Sequence, residues 1–194
     1  YSASKASSDH FVRAWASTYG LPVMISNCSN NFGPFQYPEK LIPLMIINCI
    51  NRKPLPVYGS GDNIRDWIYV EDHCNAIDAI LLKGEIGQTY LIGSNNEISN
   101  INIVKMICEF FNTSSINKDN FDYLSLIEFV DDRPGHDFRY AIDNSKIKDK
   151  LGWRAKYSFN EALSNTIKWY LKNMEWYQSI LETDNIKRLG NINK

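Results

Sequence analysis

The sequence predicts an α/β fold built on a parallel sheet, and three observations carry that prediction. Residues 2–19 have no proline and end at Gly20, a well-placed helix stop. Leu21-Pro22 then breaks the helix, and Val23-Met24-Ile25-Ser26-Asn27-Cys28 reads as a mostly buried strand. A second helix through Ala76, Ile77, Ala79, Ile80 and Leu81 precedes another apolar strand, Thr89-Tyr90-Leu91-Ile92-Gly93. Helix, short loop and buried strand in repetition is the rhythm of a parallel α/β sheet. With 44% hydrophobic and 13% aromatic residues, the chain of 194 residues can bury a substantial core.

Charge and composition exclude several classes of partner. There are 21 basic and 22 acidic side chains, for a net charge of −1, so no nucleic-acid footprint and no membrane-surface stripe is present. No apolar run approaches the ~20 residues of a membrane span, and no signal-like segment opens the sequence. Cys28, Cys49, Cys74 and Cys108 are widely spaced without a C-x-x-C. They are expected to be buried free thiols in a reducing, cytoplasmic compartment, and no metal site is expected.

Taken in order, the helix over 2–19 draws apolar contacts from Ala3, Ala6, Ala14 and Trp15. After the strand at 23–28, Ser29-Asn30-Asn31-Phe32-Gly33-Pro34 reads as an amide-rich turn. Asparagines favour turns for backbone reasons, but ligands in open α/β sheets bind beyond the carboxyl ends of strands, where Asn30 and Asn31 fall. Leu41 to about Asn51 is a helix apolar on nearly every side and therefore buried, with Pro43 tolerated in its first turn. Lys40 at its mouth is either a surface lysine or a contact for an anion. Pro54–Tyr58 is extended, Gly59–Asp62 turns, and Arg65–Val70 is a strand. Asp72 is placed to cap the helix that follows, and His73 has no second metal ligand nearby.

Ser94–Ser99 reads as a polar loop, and Asn100 as the cap of a helix carrying Ile103, Val104, Ile107, Phe110 and Phe111. Residues 112–125 form a polar surface loop, and Ile127–Val130 a strand. The most chemically loaded loop is Asp131-Asp132-Arg133-Pro134-Gly135-His136-Asp137. It is either a salt-bridged turn with His136 exposed or a set of binding groups on a rigid scaffold. Tyr140–Asp143 is extended, a short helix from Ser145 to Leu151 stops at Gly152, and a last long helix carries Phe159, Ala162, Leu163, Ile167, Tyr170 and Leu171. The tail from Thr183 to Lys194 is polar and expected to fray.

Tyr1 and Lys5 lie four residues apart, and therefore on one face of the first helix. An ammonium beside a phenol favours the phenolate, which lowers the phenol from its usual pKa of roughly 10. That is the recipe for a tyrosine acid/base working on a hydroxyl. Two common residues at one spacing are also a frequent surface pair, so context decides between the readings.

Five segments supply that context. Tyr1-Ser-Ala-Ser-Lys5, Asn27-Cys-Ser-Asn-Asn-Phe-Gly-Pro34, Pro38-Glu-Lys-Leu-Ile-Pro43, Arg65-Asp-Trp-Ile-Tyr-Val-Glu-Asp72 and Asp132-Arg-Pro-Gly-His136 together resemble the bacterial dTDP-glucose 4,6-dehydratases of the extended short-chain dehydrogenase/reductase superfamily. The likeness runs from residue 1 to about residue 177. It implies the C-terminal part of a Rossmann-like parallel sheet plus a smaller α/β substrate-binding domain. By that likeness residues 1–34 end an NAD-binding domain, 35–182 mainly hold a nucleotide sugar with returns to the Rossmann sheet, and 183–194 are the tail.

The resemblance implies that Tyr1 exchanges the proton on glucose O4 while hydride passes from C4 to NAD, with Lys5 holding the nicotinamide ribose. Water is then lost across C5–C6 and the hydride returns to C6, giving a dTDP-4-keto-6-deoxyglucose. Asn31 resembles a cofactor-side asparagine and Asn30 a substrate contact. Lys40, Leu41, Pro56 and Tyr58 match the nucleotide pocket. Arg65 and Arg133 suit the two phosphates, where guanidinium forks bind bidentately. Asp132, Asn100 and His136 fall on substrate-binding positions. A homodimer using the first helix is the family expectation. In this family the glycine-rich NAD loop, the eliminating Asp-Glu pair and a threonine lie upstream of the tyrosine–lysine motif. Residues 1–194 alone are accordingly expected to bind NAD poorly and to dehydrate nothing. Other nucleotide-sugar enzymes of the superfamily (UDP-sugar 4,6-dehydratases, 4-epimerases, decarboxylases) and a noncatalytic sugar-nucleotide-binding module remain alternatives.

Overall fold

The structure, a computed structural model, describes residues 2–183. Tyr1 and all of the expected tail after Thr183 lie outside the described residues. Helix α1 (Ser2–Tyr19) is followed by strands β1 (Ile25–Cys28) and β2 (Asn30–Phe32), helix α2 (Leu41–Ile50), and strands β3 (Leu55–Tyr58) and β4 (Ile64–Tyr69). Then come α3 (Val70–Lys83), β5 (Thr89–Ile92), β6 (Glu97–Ser99), α4 (Asn100–Thr113) and a 3-10 turn at Tyr123–Leu126. The chain continues through β7 (Ile127–Val130), β8 (Arg139–Tyr140), α5 (Ser145–Leu151), α6 (Phe159–Lys172) and α7 (Met174–Thr183).

Strand pairing is mostly parallel, as the α/β rhythm requires. β1 runs beside β5 with Ile25 opposite Thr89 and Cys28 opposite Ile92. β2 runs beside β4, with Asn31 opposite Ile68, and β3 beside β7. β4 also takes β6 antiparallel and β8 parallel, so this strand ties the middle of the sheet to the loop before β8. Only Ser29 separates β1 from β2, yet the two have different partners. The sheet therefore divides at Ser29, whose N–H still donates to the Ile92 carbonyl at 2.9 Å.

Two apolar cores result. One gathers α2, α4 and α6 around Phe32, Ile46, Ile103, Ile107 and Ile167. The other joins α3, α5 and β5 around Ile68, Ala76, Ile80 and Ile92. Local signals act as expected at several ends. Gly20 and Gly152 take left-handed geometry at φ 67° and 71° to stop α1 and α5. Ser158 Oγ accepts the Glu161 N–H at 3.3 Å, opening α6 with a Ser-x-x-Glu cap.

Other expectations are corrected. Asn30 and Asn31 form a strand rather than a turn, because β4 offers them a ladder that nothing local announces. Glu97–Ser99 is likewise a strand, held antiparallel to β4. Asp72 does not cap α3: it is buried within the first turn and accepts the Lys156 and Tyr157 N–H groups at 2.9 and 3.2 Å. Asn100 is the first residue of α4, with Ser99 at the cap position. Cys49 and Cys108 are buried, but Cys28 is half-buried and Cys74 exposed. Cys74 falls off the Asp72, Ala76, Ile80 stripe that α3 buries. The loop at 112–125 contains a 3-10 turn with a buried Tyr123, and a further helix, α7, follows α6.

α1 differs from the other long helices. It buries no residue, and Phe11, Trp15 and Tyr19 form an exposed ladder with ring centroids 6.3 and 5.9 Å apart. Two polar bonds tie it to the sheet: Asn27 Nδ2 donates to Asp9 Oδ2 at 3.0 Å, and Arg13 to Thr89 Oγ1 at 2.7 Å, with Val12 and Ala16 half-buried on the same face as Asp9.

Candidate active site

Two clusters of the sequence-predicted residues form around β4. The first lies where the sheet divides. Asn31 Nδ2 donates to Cys28 Sγ at 3.2 Å and to the Ser29 carbonyl at 3.1 Å, while its Oδ1 meets His73 Nδ1 at 2.8 Å. Gln36 Nε2 donates to the Asn31 carbonyl at 2.8 Å. Around this knot, Asn27 Oδ1, Ser29 Oγ and Gln36 Oε1 are buried without a hydrogen-bond partner among the described residues. Asn27 and Ser29 are two apart on extended chain and share a face. Buried polar atoms normally have a partner, so these three can accept a hydrogen bond from a water or a polar ligand; Asp66 Oδ2, Trp153 Nε1 and Tyr177 OH are in the same condition elsewhere in the described residues.

The second cluster is built on the ends of β3, β4 and β7. Arg65 is buried on β4, and among the described residues its guanidinium donates to carbonyls: Ile64 and Asp137 at 2.7 Å, and Phe138 at 3.4 Å. Burial lowers its pKa from the usual guanidinium value; Asp137 opposes that shift and the neighbouring Arg133 adds to it. The Arg133 charge is thus felt at Arg65. Asp132 Oδ1 accepts the Arg133 N–H at 2.8 Å and pairs with His136 Nδ1 at 2.7 Å. That bond to His136 holds the Asp132 carboxyl below its usual range. The His136 side chain is only 5% exposed and stands edge-on to Tyr58, with ring centroids 6.3 Å apart. The exposed-histidine reading is therefore set aside.

The rest of this cluster is drawn in by backbone bonds. Asn63 Nδ2 donates to the Asp137 carbonyl at 3.1 Å, and the Asn63 carbonyl accepts the Asn100 N–H at 3.0 Å. Asn100, Arg65 and the loop at 131–138 are thereby held in one group. Pro56 and Tyr58 lie half-buried on β3 beside them. Lys40 is exposed at the N-cap of α2, with Leu41 opening that helix, and Asn30 is half-buried opposite Trp67. Lys5 is exposed in the first turns of α1, and its partner Tyr1 lies outside the described residues.

Sequence reasoning missed His73, Gln36 and Ser29. From sequence His73 has only a metal role to weigh, and no group of three or more candidate metal ligands occurs among the described residues. Its bond to Asn31 spans 42 positions and exists because α3 starts where β4 ends, beside β2. Only strand order brings the two together.

The model of the GDP-mannose 4,6 dehydratase family matches residues 1–166. The chain belongs to this family. Among relatives of this dehydratase-family chain is a probable dTDP-glucose 4,6-dehydratase of Sinorhizobium fredii, 53% identical over 195 residues and covering 100% of this chain and 55% of that protein. Among solved structures, a dTDP-glucose 4,6-dehydratase from Bacillus anthracis in complex with NAD is 47% identical, with a TM-score of 0.83 over 93% of this chain and 54% of that one. DesIV, a dTDP-glucose 4,6-dehydratase from Streptomyces venezuelae with NAD and TYD bound, is 40% identical, with a TM-score of 0.85 over 93% and 53%. The family chain spans about half the length of the curated relatives it matches. Its mixed α/β architecture with parallel strands agrees with these Rossmann-like neighbours.

Proposed function

We propose that this chain is the C-terminal part of an NAD-dependent dTDP-glucose 4,6-dehydratase, a lyase that makes dTDP-4-keto-6-deoxyglucose for deoxysugar synthesis. The observation that carries the reading is Arg65. A buried guanidinium bonded to carbonyls, with Arg133 close enough to raise the cost of its charge, suits a doubly anionic bridge between two phosphates. Relatives and solved neighbours that carry the dTDP-glucose name support the nucleotide.

In this reading Arg65 and Arg133 bind the diphosphate, and Tyr58 and Pro56 flank the base with Lys40 and Leu41. Asn100, Asp132, His136 and Asn30 orient the remaining polar groups of the nucleotide sugar. The orphaned Asn27 Oδ1 and Ser29 Oγ fit a carboxamide, which brings two N–H donors and one acceptor, and this supports nicotinamide binding beside Asn31. Bound NAD would supply the temporary hydride store for oxidation at C4 and reduction at C6. Tyr1 takes the proton from the sugar O4 as hydride leaves C4, and because the product keeps its 4-ketone that proton passes on to solvent. Lys5 favours the phenolate and binds the nicotinamide ribose. The division of the chain at residues 34 and 182, a homodimeric state and a cytoplasmic location belong to the same reading. No helix among the described residues is long and apolar enough to cross a membrane.

Calorimetry on the full-length protein tests the nucleotide. Binding of dTDP and dTDP-glucose with weaker binding of UDP and UDP-glucose is expected. Binding of UDP-sugars alone would replace the proposed substrate with that of another superfamily member. No binding of either would leave a noncatalytic homologue.

A further inference from the structure

We propose that His73 is a positioning residue for Asn31, holding its side-chain amide in one orientation through Nδ1–H and so fixing the course of β2 beside the proposed nicotinamide place. The inference rests on that reading of the Asn31 region for its functional consequence. The hydrogen bonds between His73, Asn31 and Ser29 stand apart from that reading.

The Ser29 carbonyl can only accept a hydrogen bond. The Asn31 atom 3.1 Å from it must therefore be the amide nitrogen, which also reaches Cys28 Sγ at 3.2 Å. The amide oxygen is left facing His73 Nδ1 at 2.8 Å, and an oxygen without hydrogen requires a donor. His73 is thus protonated on Nδ1. Burial lowers its pKa from the usual histidine value, so the ring is neutral near pH 7 and Nε2 carries the lone pair.

Both partners sit on rigid supports. A Cβ built on Gly33 would lie 2.6 Å from Val70 Cγ1, so the end of β2 and the start of α3 are pressed together with no room for a side chain. Asp72, next to His73, locks the first turn of α3 by accepting the Lys156 and Tyr157 N–H groups. With its amide nitrogen and its oxygen both engaged, Asn31 is not free to turn its amide toward a ligand. Its service is to hold the Ser29 carbonyl and Cys28 in place, leaving Ser29 Oγ and Asn27 Oδ1 as groups without a partner among the described residues. A site is only as well placed as the shell behind it.

The test uses the full-length protein and two variants. His73→Leu removes the donor, whereas His73→Asn keeps an N–H near the position of Nδ1. In the 15N-histidine spectrum, the signal lost in His73→Asn should show the Nδ1–H tautomer in the unsubstituted protein. His73→Leu should lose NAD on gel filtration and raise KM for NAD about tenfold, the scale of one hydrogen bond, with KM for the nucleotide sugar changed less than about twofold. His73→Asn should recover NAD affinity to within about threefold. An Nε2–H tautomer, or equal NAD retention in the unsubstituted protein and His73→Leu, would overturn the proposal. So would a loss in His73→Leu that His73→Asn does not restore. If the unsubstituted protein itself holds no NAD, the cofactor reading fails, and the tautomer alone decides whether His73 holds Asn31.

Discussion

At the scale of the residue, Arg65 shows why a side chain's type and its environment must be read together. The sequence puts an arginine where a phosphate bridge is expected; the fold buries it and surrounds it with carbonyl oxygens. Carbonyls solvate the guanidinium but do not neutralise it. Arg65→Ala should therefore weaken dTDP binding by about 1.5–3 kcal/mol, the range of a hydrogen bond to a charged group. Arg65→Lys should not restore it, because a single ammonium cannot span the Ile64 and Asp137 carbonyls and also reach an anion. Calorimetric titration of both variants checks this, and undiminished affinity in either would place the phosphates elsewhere. His73 carries a pH signature. Burial depresses its folded-state pKa below the unfolded value of roughly 6.5, so the unfolded chain binds the proton more readily. Stability from this group is full above about pH 6.5 and is lost as the pH falls toward the folded pKa. Urea midpoints at pH 7 and pH 5.5 should differ less in His73→Asn than in the unsubstituted protein.

At the scale of the element, β4 organises the molecule. It pairs with β2, β6 and β8, presents Arg65, and feeds directly into α3 with His73. The tight passage from β2 past α3 depends on Gly33, whose φ of 146° is rarely adopted by other residues and whose missing Cβ makes room for Val70 and Tyr69. Gly33→Ala should cost about 1–3 kcal/mol through backbone strain and displaced side chains. A urea midpoint equal to that of the unsubstituted protein would show that the passage has slack. Element existence was largely legible: the stops of α1 and α5, the buried α2, and the strands at 25–28, 55–58, 64–69 and 127–130 follow from glycine, proline and apolar pattern. β2 and β6 were not. Both are three-residue strands whose polar residues signal turns, and a neighbouring ladder overrides that local preference.

At the scale of the whole molecule, α1 is the outlier. An 18-residue helix that buries nothing, yet carries Phe11, Trp15 and Tyr19 on one exposed ladder, leaves apolar area for another surface to cover. In the proposed homodimer α1 contributes to the subunit contact. The full-length protein should elute from size exclusion with light scattering at twice its chain mass, and Phe11→Lys combined with Trp15→Lys should shift it toward the monomer. An unchanged dimer would assign the ladder to contacts within the chain instead.

The sequence by itself determined the α/β class, the family likeness and the residue types of the candidate site. Arginine forks, a tyrosine–lysine pair and a charged loop at 131–137 have chemistry that can be read from their identities and spacing. Tertiary structure alone decided that Arg65 is buried among carbonyls, that His136 is enclosed and paired with Asp132, and that His73 reaches Asn31. The physical reason is that burial and hydrogen bonding are set by which strands lie side by side. Asn31 and His73 are 42 positions apart, and no local preference fixes a contact that depends on β2 choosing β4 over β5.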